Sequence, residues 1–184
     1  MKALKTSLPE VLILEPRVHS DDRGFFYESF NQETFASAGI DVSFAQCNVS
    51  KSSRGVLRGL HYQWRNPQGK LVSVLDGEVY DVAVDIRPDS PTRGHHFGTL
   101  LSSENKRHLW IPAGFAHGFC VVSETATFSY QCTTVYDRHS DVAIRWNDAT
   151  FAIDWPVSEP LLSEKDRSAP FFAEIPRSQL PEYP

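Results

Sequence analysis

The sequence is poor in cysteine: it has three in 184 residues, and no two are spaced as C-x-x-C. An odd set, Cys47, Cys120 and Cys132, in apolar or strand-like surroundings implies neither a disulfide framework nor a structural zinc site. No apolar run is long enough to cross a bilayer, and Met1 to Pro9 carries basic residues without the apolar segment of a signal peptide. The expectation is a reducing, cytoplasmic setting with no membrane partner. A basic surplus is also missing. With 18 Lys and Arg against 23 Asp and Glu the net charge is −5, which argues against a nucleic-acid partner but leaves room for a local basic pocket. Helical periodicity is scarce; the best short candidate is Gln32 to Ala38, stopped by Gly39. There is no internal repeat or low-complexity linker, and the length suits one domain, residues 1–184, with a sizeable core.

What is present reads as strands. Val11 to Leu14, Gly24 to Phe30, Phe44 to Val49 and Val56 to Gln63 are short runs rich in β-branched and aromatic residues, separated by polar, Pro or Gly punctuation. From Leu71 to Ile86 two apolar runs flank Asp76-Gly77, a pair that supplies the positive φ of a tight hairpin. After that turn Tyr80, Val82, Val84 and Ile86 share one face by the two-residue period, and Asp81, Ala83 and Asp85 share the other. Two acids and an alanine on one face suit open solvent or a polar cavity. Further strands are expected at His96 to Leu101, His108 to Ile111, Phe119 to Val122 and Ala126 to Tyr136. Many short strands with turns between them predict an all-β protein, best matched by an antiparallel double-sheet jelly roll with a ligand cavity between its sheets. From Trp155 onward a proline-rich tail, irregular with a little helix, must pack back onto the sheets to be stable.

Several segments can carry chemistry. Pro112-Ala113-Gly114-Phe115-Ala116-His117 matches half of the second motif of the cupins, where a histidine points into a jelly-roll cavity; read alone it is a Pro-Gly turn with a hydrogen-bonded histidine. The H-x-H pair by which a cupin binds metal is missing, because Tyr62 and Gln63 follow His61. His95 and His96 are adjacent, so in a strand they face opposite ways and cannot share an ion. A metal is therefore not expected. A lone histidine such as His61 is ordinarily structural, but Arg58, Lys70 and His117 accompany it. Cations gathered without matching acids are costly unless an anion occupies the space. Strict strand parity would aim Arg58 and His61 at opposite sheets, so a shared pocket requires a bulge at Gly59. In isolation Asp21 to Glu28 is a polar turn entering a strand, Tyr130 a strand aromatic, and Ser163 to Asp166 a helix-capping sequence.

Together these segments resemble the dTDP-4-dehydrorhamnose 3,5-epimerase family. The resemblance rests on D-x-R-G-F-F-x-E at Asp21 to Glu28, Q-x-N at Gln46 to Asn48, V-L-R-G-L-H-Y-Q at Val56 to Gln63 and Q-G-K-L-V at Gln68 to Val72. It continues through Gly77 to Arg87, Pro112 to Phe119, Tyr130 to Thr133, Ile144 to Trp146, Ile153 to Pro156 and L-S-E-K-D at Leu162 to Asp166. It implies a homodimeric, metal-free jelly roll of cupin type, without cofactor, that inverts C3 and C5 of a dTDP-linked 4-keto-6-deoxyhexose on the route to dTDP-L-rhamnose. By the same resemblance His61 is the proton acceptor with Asp166 as its partner, Tyr130 the proton donor and Lys70 the cation beside the developing oxyanion. Arg23, Glu28, Gln46, Asn48, Arg58, Lys70, His117, Asp141 and Lys165 contact substrate, and Phe26 walls the thymine. The chain departs from the family at Gln131, where lysine is frequent, and at Asp141, where glutamate is frequent. The competing readings are a single-carbon epimerase that shares the base, a metal-dependent cupin oxygenase, and a sugar-nucleotide binder without catalysis.

Overall fold

Short strands bury their apolar side chains only by stacking in layers, and the computed structural model, which describes residues 1–183, is built that way. The strands are β1 (Lys2–Lys5), β2 (Leu12–Glu15), β3 (His19–Asp21) and β4 (Gly24–Phe26), followed by helix α1 (Gln32–Ser37). Next come β5 (Gln46–Ser53), β6 (Leu57–Gln63), β7 (Lys70–Asp76), β8 (Glu78–Asp85) and β9 (His96–Ser102). The last are β10 (His108–Ile111), β11 (Phe115–Val121), β12 (Thr125–Cys132) and β13 (Asp141–Ala143), and the tail carries helix α2 (Glu164–Arg167). Among the described residues they form a six-stranded sheet ordered β1-β2-β10-β7-β12-β5 and a five-stranded sheet ordered β13-β6-β11-β8-β9, with β3 and β4 as a separate two-stranded arm. All paired strands run antiparallel, which gives the expected cupin-like jelly roll.

Three apolar layers hold it together. Between the sheets, Val72, Val74, Leu109, Ile111 and Phe128 meet Val79, Leu101, Phe115, Phe119 and Val121. The outer face of the five-stranded sheet, with Leu57, Leu60, Tyr62, Val82, Val84 and Ile86, is covered by Phe151, Trp155, Phe172, Ile175 and Leu180. This is how the proline-rich tail is stabilised. On the outer face of the six-stranded sheet, Leu14, Leu71 and Trp110 receive Phe35 and Ile40 from α1 and the turn after it. That helix starts where Asn31 accepts hydrogen bonds from the Glu33 and Thr34 amides, and ends before Gly39 at φ +90°.

The expected hairpin at Asp76-Gly77 is not there. β7 pairs with β10 and β12, β8 with β11 and β9, and the two strands belong to different sheets. Gly77 does have positive φ, +78°, but it turns a corner between layers, packed against the Thr125 carbonyl. Apolar runs on both sides of an Asp-Gly read alike for a hairpin and for a sheet-to-sheet crossing. The strand expected over Gly24 to Phe30 also shrinks to three residues, because the chain turns away toward α1.

One irregularity fixes the cavity. On β11, His117 stands opposite His61 and Phe119 opposite Arg58, so three steps along β6 match two along β11. The extra residue lies at Gly59, at φ +134°, where a β-carbon would sit 2.5 Å from Gly118 Cα. The expected bulge therefore exists. Leu57, Leu60 and Tyr62 enter the outer layer, while Arg58 and His61 both line the inner cavity. Gly59→Ala should destabilise the protein by about 2–4 kcal/mol, through strain at positive φ and displacement of β11. Urea denaturation reads this, and an unchanged midpoint would mean that the backbones are not in contact.

Candidate active site

A cavity of about 470 Å³ opens between the two sheets. The five-stranded sheet contributes Arg58, His61, His117 and Phe119, and the six-stranded sheet contributes Ser50, Lys70, Phe128 and Tyr130. The tail closes one side with Leu161, Leu162, Ser163 and Asp166. It is tied down where the Leu57 amide donates to the Leu161 carbonyl at 3.1 Å and the Leu161 amide to the Gly55 carbonyl at 2.8 Å.

On one wall His61 Nε2 meets Asp166 Oδ1 at 2.5 Å. Asp166 is almost wholly buried, at 2% exposure. Burial alone would raise its pKa, but the hydrogen bond and charge of His61, with help from Ser163 and Lys165, hold it below the ordinary 3.8. Ser163 Oγ donates to Asp166 Oδ2 at 2.9 Å and accepts from the Asp166 amide at 3.1 Å, so the cap of α2 also orients the carboxylate. A carboxylate on Nε2 takes the Nε2 hydrogen and leaves the lone pair of neutral His61 on Nδ1. Among the described residues Nδ1 has no hydrogen-bond partner, and the ring lines the cavity.

The idea of cations without acids needs correction at the histidines. His61 has Asp166, and His117 Nε2 lies 3.0 and 2.9 Å from the two oxygens of Asp81, a carboxylate with no exposure. The cations without carboxylate hydrogen bonds are Arg58 and Lys70. Arg58 donates through Nε and Nη2 to Ser52 Oγ at 3.2 and 3.1 Å. Lys70 is 9% exposed and reaches the cavity from the first position of β7. Desolvation pulls its pKa below 10.5, partly opposed by Cys132, Asp141 and Asp81. Tyr130, on the neighbouring strand, has its pKa raised above 10, first by burial and then by Cys132, with Arg58 opposing.

Beside the main cavity a smaller one of about 170 Å³ shares His61, Lys70 and Tyr130 and adds Gln46, Asn48, Asp141 and Lys165. Gln46 Nε2 donates to Asn48 Oδ1 at 2.9 Å, and Gln46 Oε1 accepts from the Tyr136 amide at 2.7 Å. Asp141 Oδ2 accepts from Lys165 Nζ at 2.6 Å and from the Tyr136 hydroxyl at 2.8 Å. The shorter acid at position 141 is thus long enough to hold the tail lysine.

Arg23, Phe26 and Glu28 lie elsewhere in a single chain. Arg23 and Phe26 are on the β3–β4 arm, where Arg23 pairs with Asp21 and Phe26 is 71% exposed. Glu28 accepts from Asn31 Nδ2 and Thr34 Oγ1 at the start of α1. Conversely, the sequence reading did not single out Asp81, Ser52, Ser163 or Tyr136 as site residues. The signal for Asp81 was its parity with Ala83; zero exposure excludes open solvent, and its carboxylate lies behind the cavity histidine His117.

Comparison with known proteins accords with this geometry. A family model described as dTDP-4-dehydrorhamnose 3,5-epimerase matches residues 5–174. A Pseudomonas aeruginosa protein named dTDP-4-dehydrorhamnose 3,5-epimerase is 57% identical over 176 residues, covering 95% of this chain and 97% of its own. The crystal structure of a dTDP-6-deoxy-D-glucose-3,5-epimerase from Legionella pneumophila, in complex with dTDP-4-keto-L-rhamnose, matches with a TM-score of 0.97 at 50% identity, covering 100% of this chain and 98% of that one. A 3'-monoepimerase from Streptomyces bikiniensis, in complex with dTDP-quinovose, matches with a TM-score of 0.91 at 36% identity, covering 97% and 92%.

A buried ammonium without a carboxylate bond costs stability. Lys70→Met should therefore raise unfolding stability at neutral pH by about 1–3 kcal/mol. Because the folded pKa of Lys70 lies below its unfolded 10.5, the folded state sheds its proton first, so wild-type stability recovers as pH rises through that window. The gap between variant and wild type should narrow toward pH 10.5. A less stable Lys70→Met protein in urea titrations would contradict the assignment.

Proposed function

The chain belongs to the dTDP-4-dehydrorhamnose 3,5-epimerase family, and from that premise we propose how its cavity performs the reaction. The protein is an isomerase that epimerises C3 and C5 of dTDP-4-keto-6-deoxy-D-glucose to give dTDP-4-keto-L-rhamnose for dTDP-L-rhamnose synthesis. One observation carries the mechanism: the His61–Asp166 pair stands on one wall of a cavity whose facing wall holds Lys70 and Tyr130.

A C–H beside a ketone is weakly acidic, so a base must be close and the enolate oxygen must be stabilised. His61 Nδ1 takes the proton, while Asp166 fixes the ring and favours the imidazolium that forms. Lys70 meets the negative charge that grows on the C4 oxygen. Its desolvated ammonium has no carboxylate hydrogen bond and gains a close compensating charge as the enolate develops, so the interaction favours the transition state over the ground state. Tyr130, rising from the opposite sheet, returns a proton to the other face of the sugar, which inverts the carbon. Arg58, held only by Ser52, is free to face the diphosphate. His117, Gln46, Asn48, Asp141 and Lys165 contact the rest of the sugar nucleotide.

Both sheets and the tail wall one cavity, which supports reading the chain as one catalytic domain. Arg23, Phe26 and Glu28 fit this scheme in a homodimer, with the β3–β4 arm of one copy reaching the cavity of the other. The exposure of Phe25 (61%) and Phe26 (71%) on that arm supports this. A monomer in sedimentation at micromolar concentration would remove it. Among the described residues no helix is long and apolar enough to cross a membrane, and the proposed location is the cytoplasm.

In deuterated water the wild type should place deuterium at both C3 and C5. His61→Asn should lower formation of the doubly inverted product by about 10²–10⁴-fold while dTDP binding persists. Unchanged turnover in that variant would remove His61 as a base. Label at one carbon only in the wild type would make the enzyme a single-carbon epimerase.

A further inference from the structure

The β3–β4 arm has little of its own to hold its direction. Each strand is three residues long, and a two-stranded ribbon that short is not stable by itself. Its strands pair only with each other, and among the described residues no hydrogen bond or ion pair joins residues 19–27 to the rest of the chain. The arm is held by its aromatic side chains instead. By the two-residue period Phe25 and Tyr27 share one face and Phe26 takes the other. The Phe25 and Tyr27 rings stack with centroids 6.0 Å apart. The body meets that face at two points: Lys106 Nζ lies 4.3 Å from the centre of the Phe25 ring, and the His108 ring lies 6.2 Å from that of Tyr27. Phe26, on the opposite face, is left exposed.

Both points of contact are firmly built. In the loop entering β10, Asn105 Oδ1 accepts from the Ser102 and Arg107 amides at 3.1 and 3.0 Å. Arg107 donates through Nε and Nη2 to Glu15 Oε1 of β2 at 3.0 and 2.7 Å, which ties the loop to the sheet. Lys106 stands at φ +54°, and its ammonium donates to the Ser103 and Glu104 carbonyls at 3.0 and 3.3 Å. The cation under Phe25 is therefore fixed by the loop itself. His108 is 3% exposed, and among the described residues its Nε2 has no hydrogen-bond partner. Burial pulls its pKa down to about 4, so the ring is neutral at neutral pH. A buried polar atom left unpaired costs stability. Stability thus gives no reason for an imidazole at this position, whereas the Tyr27 ring beside it gives one.

We propose that Lys106 and His108 are positioning residues that clamp the β3–β4 arm by its Phe25–Tyr27 face and so aim Phe26 and Arg23 at the cavity of a second copy of the chain. This rests on the homodimer proposed above and adds to it the device that sets the arm's direction. A cation over one ring and an imidazole beside the next hold a single face of the arm and leave the other free for a ligand. An arm ordered before substrate arrives need not be ordered by it, so less of the binding free energy is lost on closure. Neither residue lines the cavity, so the clamp acts on substrate binding and leaves the reacting carbons to the cavity walls.

The double variant Lys106→Asn/His108→Leu removes both contacts, since asparagine tolerates positive φ and leucine suits a buried site. Its KM for dTDP-4-keto-6-deoxy-D-glucose should rise roughly 10-fold, with a much smaller change in kcat. The decisive readout is in trans. Co-expression of differently tagged chains gives a heterodimer of this variant with His61→Asn, whose arm is intact but whose cavity lacks the base. The one working cavity then receives the intact arm, and the wild-type KM should return. Damage confined to the packing around His108 would stay with the chain that carries it and would not be rescued. A KM that never rises, or one that stays raised in the heterodimer, overturns the proposal. Should the double variant fail to fold, Lys106→Asn alone goes through the same two assays, with an expected rise of about 3-fold. A second heterodimer, Phe26→Ala with His61→Asn, tests the homodimer reading by itself. If the intact arm does not restore KM there, that reading fails; if it does while the clamp variant's KM never rose, only the clamp fails.

Discussion

The hydrogen bond between His61 Nε2 and Asp166 Oδ1 joins residues 105 apart in sequence, and the working site depends on it. Asp166 cannot be there unless the tail folds back, and the tail folds back because Phe172, Ile175 and Leu180 bury themselves on the outer face of the five-stranded sheet. That layer stabilises the fold, and the same packing delivers the Asp166 carboxylate to His61. A buried carboxylate left without its partner would be strongly destabilising. The His61–Asp166 hydrogen bond, the Ser163 cap and the short helix are therefore one unit, in which polar contacts and packing support each other.

The second constraint is a clash avoided. Sheet geometry gives alternate residues to alternate faces, and Arg58 and His61 are an odd number of steps apart. Gly59 resolves this by lying against Gly118 of the next strand, where no β-carbon fits. One bulge thus puts the Arg58 guanidinium and the His61 imidazole in the same cavity, and sets His117 directly opposite His61. The polar wall this creates faces Lys70 and Tyr130, and burial lowers the pKa of the lysine and raises that of the tyrosine.

Much of this was legible in the sequence because the period of two is a local signal. The strands and the helix stop at Gly39 follow from adjacent residues, whereas the bulge at Gly59 follows only once Arg58 and His61 are taken to share a pocket. What was not legible depends on which layer a strand joins. Asp76-Gly77 has the chemistry of a hairpin turn, yet its strands part into different sheets, a choice made by distant partners on β10 and β12. Asp81 could be given a face but not a neighbour, since its histidine lies 36 positions away. Arg23 and Phe26 sit on the β3–β4 arm, which within one chain lies away from the cavity.

The central claim is that Asp166 holds His61 with hydrogen on Nε2 and the lone pair of Nδ1 facing the sugar. Nitrogen-15 NMR of the imidazole side chains, with His61 assigned by substitution, reads this tautomer directly. At a pH where the ring is neutral, His61 should show a protonated Nε2 and a bare Nδ1, and Asp166→Asn should disturb that preference. A hydrogen found on Nδ1 of neutral His61 in the wild type would contradict it, because the nitrogen assigned as the base would have no lone pair to offer.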